Sequence, residues 1–276
     1  MLTTQSRMGR LVIFILLCIL GASAVYPLLF MAFNSFRSSQ AYNVNPFGLP
    51  TSLHFDNFHQ LLTSIPFTAS ILHTVIVIIP ADVLGTLFSA LAAFVFTKTA
   101  FKGSQGLFYL MLMVMLMPGV VVIIPLYVTV VHLGLTNSFA PAILIYAAIN
   151  IPFSTYLMRA NFRGIPDALV EAARVDGAHL LRVFRSVIVP AGLPAIMTVG
   201  ILTFLNIWNE LFLSIVLLHT PNREMLTPTL TLLSGRYGTD IPVLLAGLLL
   251  GALPTIFIYL VSARLFVRGL MSGSIR

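Results

Sequence analysis

Six stretches of the chain, residues 11–33, 70–96, 107–131, 139–157, 193–218 and 243–266, are apolar almost throughout. A helix needs about 20 mostly apolar residues to cross the hydrocarbon core of a bilayer, and each stretch is near or above that length. Barrel strands are about half as long and alternate in polarity, so these Leu-, Ala- and Met-rich runs exclude them. Composition agrees. Charged residues make up 8% of the 276 and hydrophobic ones 58%, whereas a soluble domain carries about 25% charge. A water-soluble globule of this size could not be wetted by so few charges. The sequence therefore predicts an all-α integral membrane protein, one transmembrane domain over residues 1–276 with six transmembrane helices.

Lys and Arg are distributed unevenly between the connecting segments. One set holds Arg7, Arg10, Lys98, Lys102, Arg159, Arg163, Arg174, Arg182, Arg185, Arg264, Arg268 and Arg276; the other holds Arg37, Arg223 and Arg236. Cytoplasmic loops carry the basic excess, which predicts both termini on the cytoplasmic side. The net charge of +7 is then a topology signal rather than a nucleic-acid patch. The basic start, apolar run and Ala22-Ser23-Ala24 resemble a signal peptide. Apolarity continues through Leu28, Leu29, Phe30 and Phe33, so the expectation is an uncleaved first span. The single cysteine, Cys18, excludes a disulfide framework and any multi-Cys metal site.

The polar sequence is spent in few places. Outside, residues 34–69 form a long connection, 132–138 a tight turn and 219–242 a longer one; inside, 97–106 is short. The inner connection 158–192 concentrates Arg159, Arg163, Asp167, Glu171, Arg174, Asp176, Arg182 and Arg185. Ile165-Pro166-Asp167 starts a helix there, because proline suits the first helical position and an acid suits the positive N-terminal end. Gly177 ends it, since glycine tolerates the left-handed conformation. Leu180, Val183, Phe184, Val187 and Ile188 then repeat at helical spacing, ahead of Pro190 and Pro194. The expectation is a compact two-helix knob under the membrane.

Glu171-Ala172-Ala173, Asp176-Gly177 and Ile188-Val189-Pro190 together resemble the EAA loop of permease subunits from binding-protein-dependent ABC importers. Val189 stands where leucine is usual, and Arg182 where many relatives have glutamine. Asn206-Ile207-Trp208-Asn209-Glu210 resembles the fifth-span motif of maltose-transporter-like sugar permeases. Pro125-Leu126-Tyr127, Leu133-Gly134-Leu135-Thr136-Asn137, Val175-Asp176-Gly177 and Gly269-Leu270 fit the same subfamily. The resemblance runs from about Leu11 to Arg276. It implies the type I importer (MetI-like) fold, alternating access and a prokaryotic inner-membrane location. It also implies three partners: a homologous second permease, a cytoplasmic ATPase dimer and an extracytoplasmic solute-binding protein. Glu171, Ala172, Ala173, Arg174, Asp176 and Gly177 would then couple to the ATPase. ATP and Mg would be bound by that partner, with no cofactor in this chain. A sugar is the implied solute; glycerol phosphate or a polyamine is the alternative.

Other residues have two readings each. Glu210 lies deep in the fifth run, and an intramembrane acid is a functional candidate by default. It is either a polar contact near the pathway, with Asn206 one turn earlier, or a helix-packing hydrogen bond to a neighbouring subunit, or an acid close enough to the outer interface to be wet; Asn209 belongs to the same set. Asp82 follows Pro80 and either marks the pathway or satisfies backbone donors at a kink. Trp208 either packs or stacks on a sugar ring. Gly247 and Gly251 form a small-xxx-small pair for helix packing. Prolines 118, 125, 141, 152 and 254 interrupt the spans. Met111, Met113, Met115 and Met117 read as apolar packing, and His73 shows no ligand spacing, so no metal site is expected.

The chain contains no G-x-x-x-x-G-K-[ST] loop and no Gly-Lys pair at all. ATP-driven transport would need an ATPase on another polypeptide. A secondary transporter is the first competitor, but residues 1–138 and 139–276 share no convincing repeat. An intramembrane enzyme is the second, and Asp82 and Glu210 are lone acids on separate spans.

Overall fold

A computed structural model describes residues 7–136, 138–220, 222–236 and 240–271. Asn137 and Arg276 of the sequence reading lie outside them. Among the described residues the chain is helical, with no strand. In order the helices are α1 Arg7–Ser35, α2 Ser39–Val44, α3 Asp56–Ser64, α4 Phe67–Lys98, α5 Ser104–Val114, α6 Gly119–His132, α7 Phe139–Phe162, α8 Asp167–Val175 and α9 Leu180–Val183. A π-turn at Phe184–Ile188 follows, then α10 Val189–Trp208, α11 Phe212–Leu217, α12 Leu226–Arg236 and α13 Ile241–Met271. Five helical stretches are long and apolar enough to cross a membrane: Met8–Ser35, Phe67–Lys98, Phe139–Phe162, Leu180–Trp208 and Ile241–Ser262. The sixth is a broken pair, α5 and α6, which meet at 93°.

The chain forms two compact units, Met1–Phe67 with Leu230–Leu253, and Thr68–Thr229 with Pro254–Arg276. In the first, the long connection after α1 is folded rather than loose. Arg37, 6% exposed, donates to Asn34 Oδ1 at 2.8 Å and to the Ala41 carbonyl at 2.7 Å. Asn57 donates to the Ser35 and Arg37 carbonyls, both at 2.8 Å. The Ser39 hydroxyl donates to Asp240 at 2.7 Å. A Cβ on Gly247 would lie 2.7 Å from Leu230 Cδ2 and 3.0 Å from Leu61 Cδ1, so hydrogen at that position lets α13 close on α12 and α3. None of the apolar window of α1 is buried against the chain.

In the second unit, α4, α7 and α10 approach at glycines. A Cβ on Gly85 would sit 3.2 Å from the Ala147 carbonyl oxygen, and one on Gly192 only 2.5 Å from Phe162 Cε1. Ser154 and Thr203 share a hydrogen bond at 3.3 Å between α7 and α10. Small residues give such contacts because helices in lipid gain little from apolar burial and associate through close packing.

The prolines behave less uniformly than expected. Pro118 does stand at a break, immediately before α6. Pro125, Pro152 and Pro254 lie inside continuous helices, and Pro141 is in the first turn of α7, where no amide partner is owed. The knob also differs from expectation at Pro190. Leu180 to Trp208 is one 29-residue helical stretch, not a short helix followed by a separate span. A π-turn absorbs the proline: Val189 N–H reaches back five residues to the Phe184 carbonyl, which widens the helix where the proline ring would press on its preceding turn.

Candidate functional site

The knob is built from the end of α7, the α8 corner and the start of the long helix. Asp167 opens α8 directly after Pro166. Its carboxylate pairs with Lys98 Nζ at 2.6 Å, and the same ammonium donates to the Ile165 carbonyl. Lys98 is the last residue of α4 and its side chain is 3% exposed, so it fastens α8 to that span. Sequence reading counted Lys98 only as a topology marker.

The far end of α8 closes as a Schellman motif. Gly177 adopts φ +79; its N–H donates to the Arg174 carbonyl and that of Ala178 to the Ala173 carbonyl, both at 3.0 Å. Beneath it, Ala90, Phe94, Phe162, Val170, Phe184 and Ile188 belong to one buried cluster. The expected coupling residues separate cleanly around this core. Ala173 is half-buried, while Glu171, Ala172, Arg174, Asp176 and Gly177 are exposed. Val175 is 87% exposed, and Leu169 and Leu181 are also open. The knob thus presents an apolar surface fringed by charge, on a base packed against α4 and the long helix and tied to α4 by Lys98.

At the other end of the long helix the chain breaks over residues 209–211, between α10 and α11. Glu210 sits in that break rather than inside a continuous span. Its Oε1 accepts from Leu213 N–H at 2.9 Å. Oε2 accepts from Ser214 N–H at 3.1 Å and from the buried Tyr146 hydroxyl at 2.7 Å. The carboxylate therefore caps the first turn of α11 and pins it to α7. An acid that would be costly in mid-span is here surrounded by donors. Tyr146 was not singled out from the sequence, because a tyrosine in an apolar run carries no distinctive signal.

Around this cap lies a cavity of about 210 Å³, lined by Ile123, Leu126, Tyr146, Asn150, Asn206 and Glu210 among others. Asn150, 7% exposed, donates to the Tyr146 carbonyl at 2.8 Å, and Asn206 reaches Asn150 Oδ1 at 3.5 Å. Two side-chain amides so placed can both donate to and accept from a hydroxyl-bearing solute. Trp208 does not share that space. It is buried and stacked on Phe204, ring centroids 5.5 Å apart. Asn209 is turned onto the Leu205 carbonyl at 2.7 Å. Asp82 accepts from Thr86 at 3.2 Å, away from this cluster. His73 packs against Phe139 and meets the Glu224 carbonyl at 3.1 Å.

Residues 85–270 match the family model described as binding-protein-dependent transport system inner membrane component. The chain belongs to that family. It is 33% identical to a Bacillus subtilis protein named "Probable ABC transporter permease protein YurM", over 97% of this chain and 89% of that one. It is 29% identical to the diacetylchitobiose uptake system permease protein NgcG of Streptomyces coelicolor, over 95% and 87%. Identity to the melibiose/raffinose/stachyose import permease protein MelC of Bacillus subtilis is also 29%, over 82% and 83%. The fold matches a chain of a bacterial ABC transporter involved in the import of the acidic polysaccharide alginate, with a TM-score of 0.80 at 23% identity, covering 94% and 98%. The permease is a membrane transport subunit of the type I importer fold.

Proposed function

We propose that this permease imports a sugar, driven by a separate cytoplasmic ATPase that grips the knob between α7 and α10. The observation that carries the reading is the mounting of α8. Its base is locked by Lys98 and a buried cluster, and its apex exposes Val175, Glu171 and Arg174. A solvated loop would gain nothing from holding a valine in water on a rigid support. A partner cleft would bury it, and the exposed Glu171 can form charge-assisted hydrogen bonds there.

The names of the relatives NgcG and MelC support a sugar as solute, and the amides of Asn150 and Asn206 suit hydroxyl groups. The cavity beside them is smaller than the roughly 300–1,000 Å³ of small-molecule sites. A second permease would complete the wall, and the bare apolar face of α1 agrees with such a partner or with lipid. Delivery would come from an extracytoplasmic binding protein. The cell would be prokaryotic and the membrane its inner one, with both termini cytoplasmic.

Co-expression with the cognate ATPase tests the coupling. Val175→Asp is expected to lose the ATPase on purification while melting at the unaltered temperature, because the side chain is already in water. Gly177→Asp is expected to abolish uptake while still inserting in the membrane. ATPase retention and undiminished uptake in both variants would refute the docking role. A thermal-shift screen of the binding protein against sugars, glycerol phosphate and polyamines identifies the solute class.

A further inference from the structure

The segment joining α4 to α5 folds beside the end of α7 into an open concavity of about 570 Å³. One wall is Arg159, a residue of α7 that is only 7% exposed. Its guanidinium is poorly matched. Nη2 donates to Gln105 Oε1 at 3.2 Å, Cζ lies 3.7 Å from the Phe108 ring centroid, and Nε has no hydrogen-bond partner. No Asp or Glu lines the concavity. The ion pairs among the described residues, Lys98 with Asp167 and His54 with Asp56, lie elsewhere. A buried cation without a counter-charge is costly, and in a membrane protein it points to a ligand.

Further donors meet it. Lys102 is on the lip. Gly103, at φ +87, turns the chain into the eleven-residue α5. In the first turn, Ser104 N–H reaches Phe101 and Leu107 N–H reaches Gly103, leaving the Gln105 and Gly106 amides with no acceptor. Two cations and a helix N-terminus converge on one space, the setting that holds a phosphate. From the same rim α5 exposes Leu107, Leu110 and Val114, spaced three and four residues apart along one face. An anion bound here would have an apolar track beside it.

We propose that this concavity binds the phosphate of an anionic lipid headgroup. Arg159 and Lys102 supply the charge, the first-turn amides of α5 supply hydrogen bonds, and the acyl chains lie along Leu107, Leu110 and Val114. Free phosphate shares the headgroup chemistry but places nothing on that apolar face. The Lys and Arg bias assigns this face to the cytoplasm, where anionic lipid is met. The inference is independent of the transported solute and of the docking role of α8.

Native mass spectrometry of the purified full chain, delipidated in detergent, tests it. Dioleoylphosphatidylglycerol should be retained, and dioleoylglycerol, with the same chains and no phosphate, should not. Arg159→Gln should weaken retention about tenfold or more, as loss of a buried charge-assisted contact implies, and Lys102→Gln about threefold, as loss of an exposed one implies; Arg185→Gln should match the unaltered chain. Lys102 is exposed, so that variant keeps its fold and carries the test alone if Arg159→Gln does not. Equal retention of the two lipids, or unchanged retention in Lys102→Gln and Arg159→Gln, overturns the proposal. Displacement of the lipid by millimolar inorganic phosphate overturns it in favour of free phosphate. Loss of complex assembly in Arg159→Gln with lipid retention unchanged overturns it in favour of a partner's carboxylate.

Discussion

Gly192 and Gly200 lie on the same helix, α10, yet alanine should affect them in opposite directions. Both substitutions gain the same helix propensity, about 1 kcal/mol. At Gly200 the new methyl meets Thr86 Oγ1 at 3.7 Å and Asp82 Oδ2 at 3.8 Å, ordinary contact distances. At Gly192 it would stand 2.5 Å from Phe162 Cε1 and 3.1 Å from Cδ1. Phe162 is fully buried in the cluster that supports the knob and has nowhere to swing. Overpacking of this kind costs roughly 1–3 kcal/mol. The difference between the two variants cancels propensity and isolates that steric cost. For a chain of this size it amounts to a Tm gap of about 2–10 °C. Thermal unfolding of the purified permease in detergent reads it directly. Phe162→Leu removes the clashing ring atoms, so the double variant with Gly192→Ala should be more stable than the two single losses predict. If Gly192→Ala melts with Gly200→Ala, α10 and α7 do not approach as closely as described, and the rigid base of the knob is lost with them.

Lys98→Met should lower uptake and stability by more than Asp167→Asn, since only the first removes both contacts of the ammonium and leaves the Ile165 carbonyl unsatisfied, a cost of about 1–3 kcal/mol; a transport assay with parallel melting curves checks the order. At the α10–α11 break, Glu210→Ala should be the most destabilising change. It strands the buried Tyr146 hydroxyl at about 1–3 kcal/mol and removes a helix cap worth about 0.5–2 kcal/mol. Glu210→Gln should fall between, and Tyr146→Phe should be mildest; equal melting temperatures for all three would contradict the capping role.

The spans were legible because apolar length alone separates a bilayer-crossing helix from the rest of this chain. Gly177 was legible for a local reason: a glycine after an alanine-rich turn, with charge on both sides, has few other uses. The breaks were not. The stretch 107–131 is apolar on both sides of Pro118, so hydropathy runs straight through a 93° bend. At Pro190 the reverse happened. A proline that should end a helix is accommodated by a π-turn, which depends on packing around Phe184 and Ile188. Asn206 and Glu210 were visible as polar residues in apolar surroundings, but Tyr146, Asn150 and Arg159 needed the fold to bring them to their partners. Gly85 and Gly192 were missed for a similar cause, since a lone glycine in a span reveals its neighbour only when helices meet.

The helix from Leu180 to Trp208 joins the knob to the cavity without interruption. At 1.5 Å per residue its 29 residues form a rod of about 44 Å. A rotation of about 10° at one end of such a rod displaces the other by about 8 Å, more than the diameter of an aromatic ring. The π-turn lies in the first third of that length, where its looser hydrogen bonds allow bending near the pivot and leave the long arm stiff. A rotation of about 10° at the π-turn thus becomes a displacement of about 5 Å at Asn206, along an arm with no further break before Trp208.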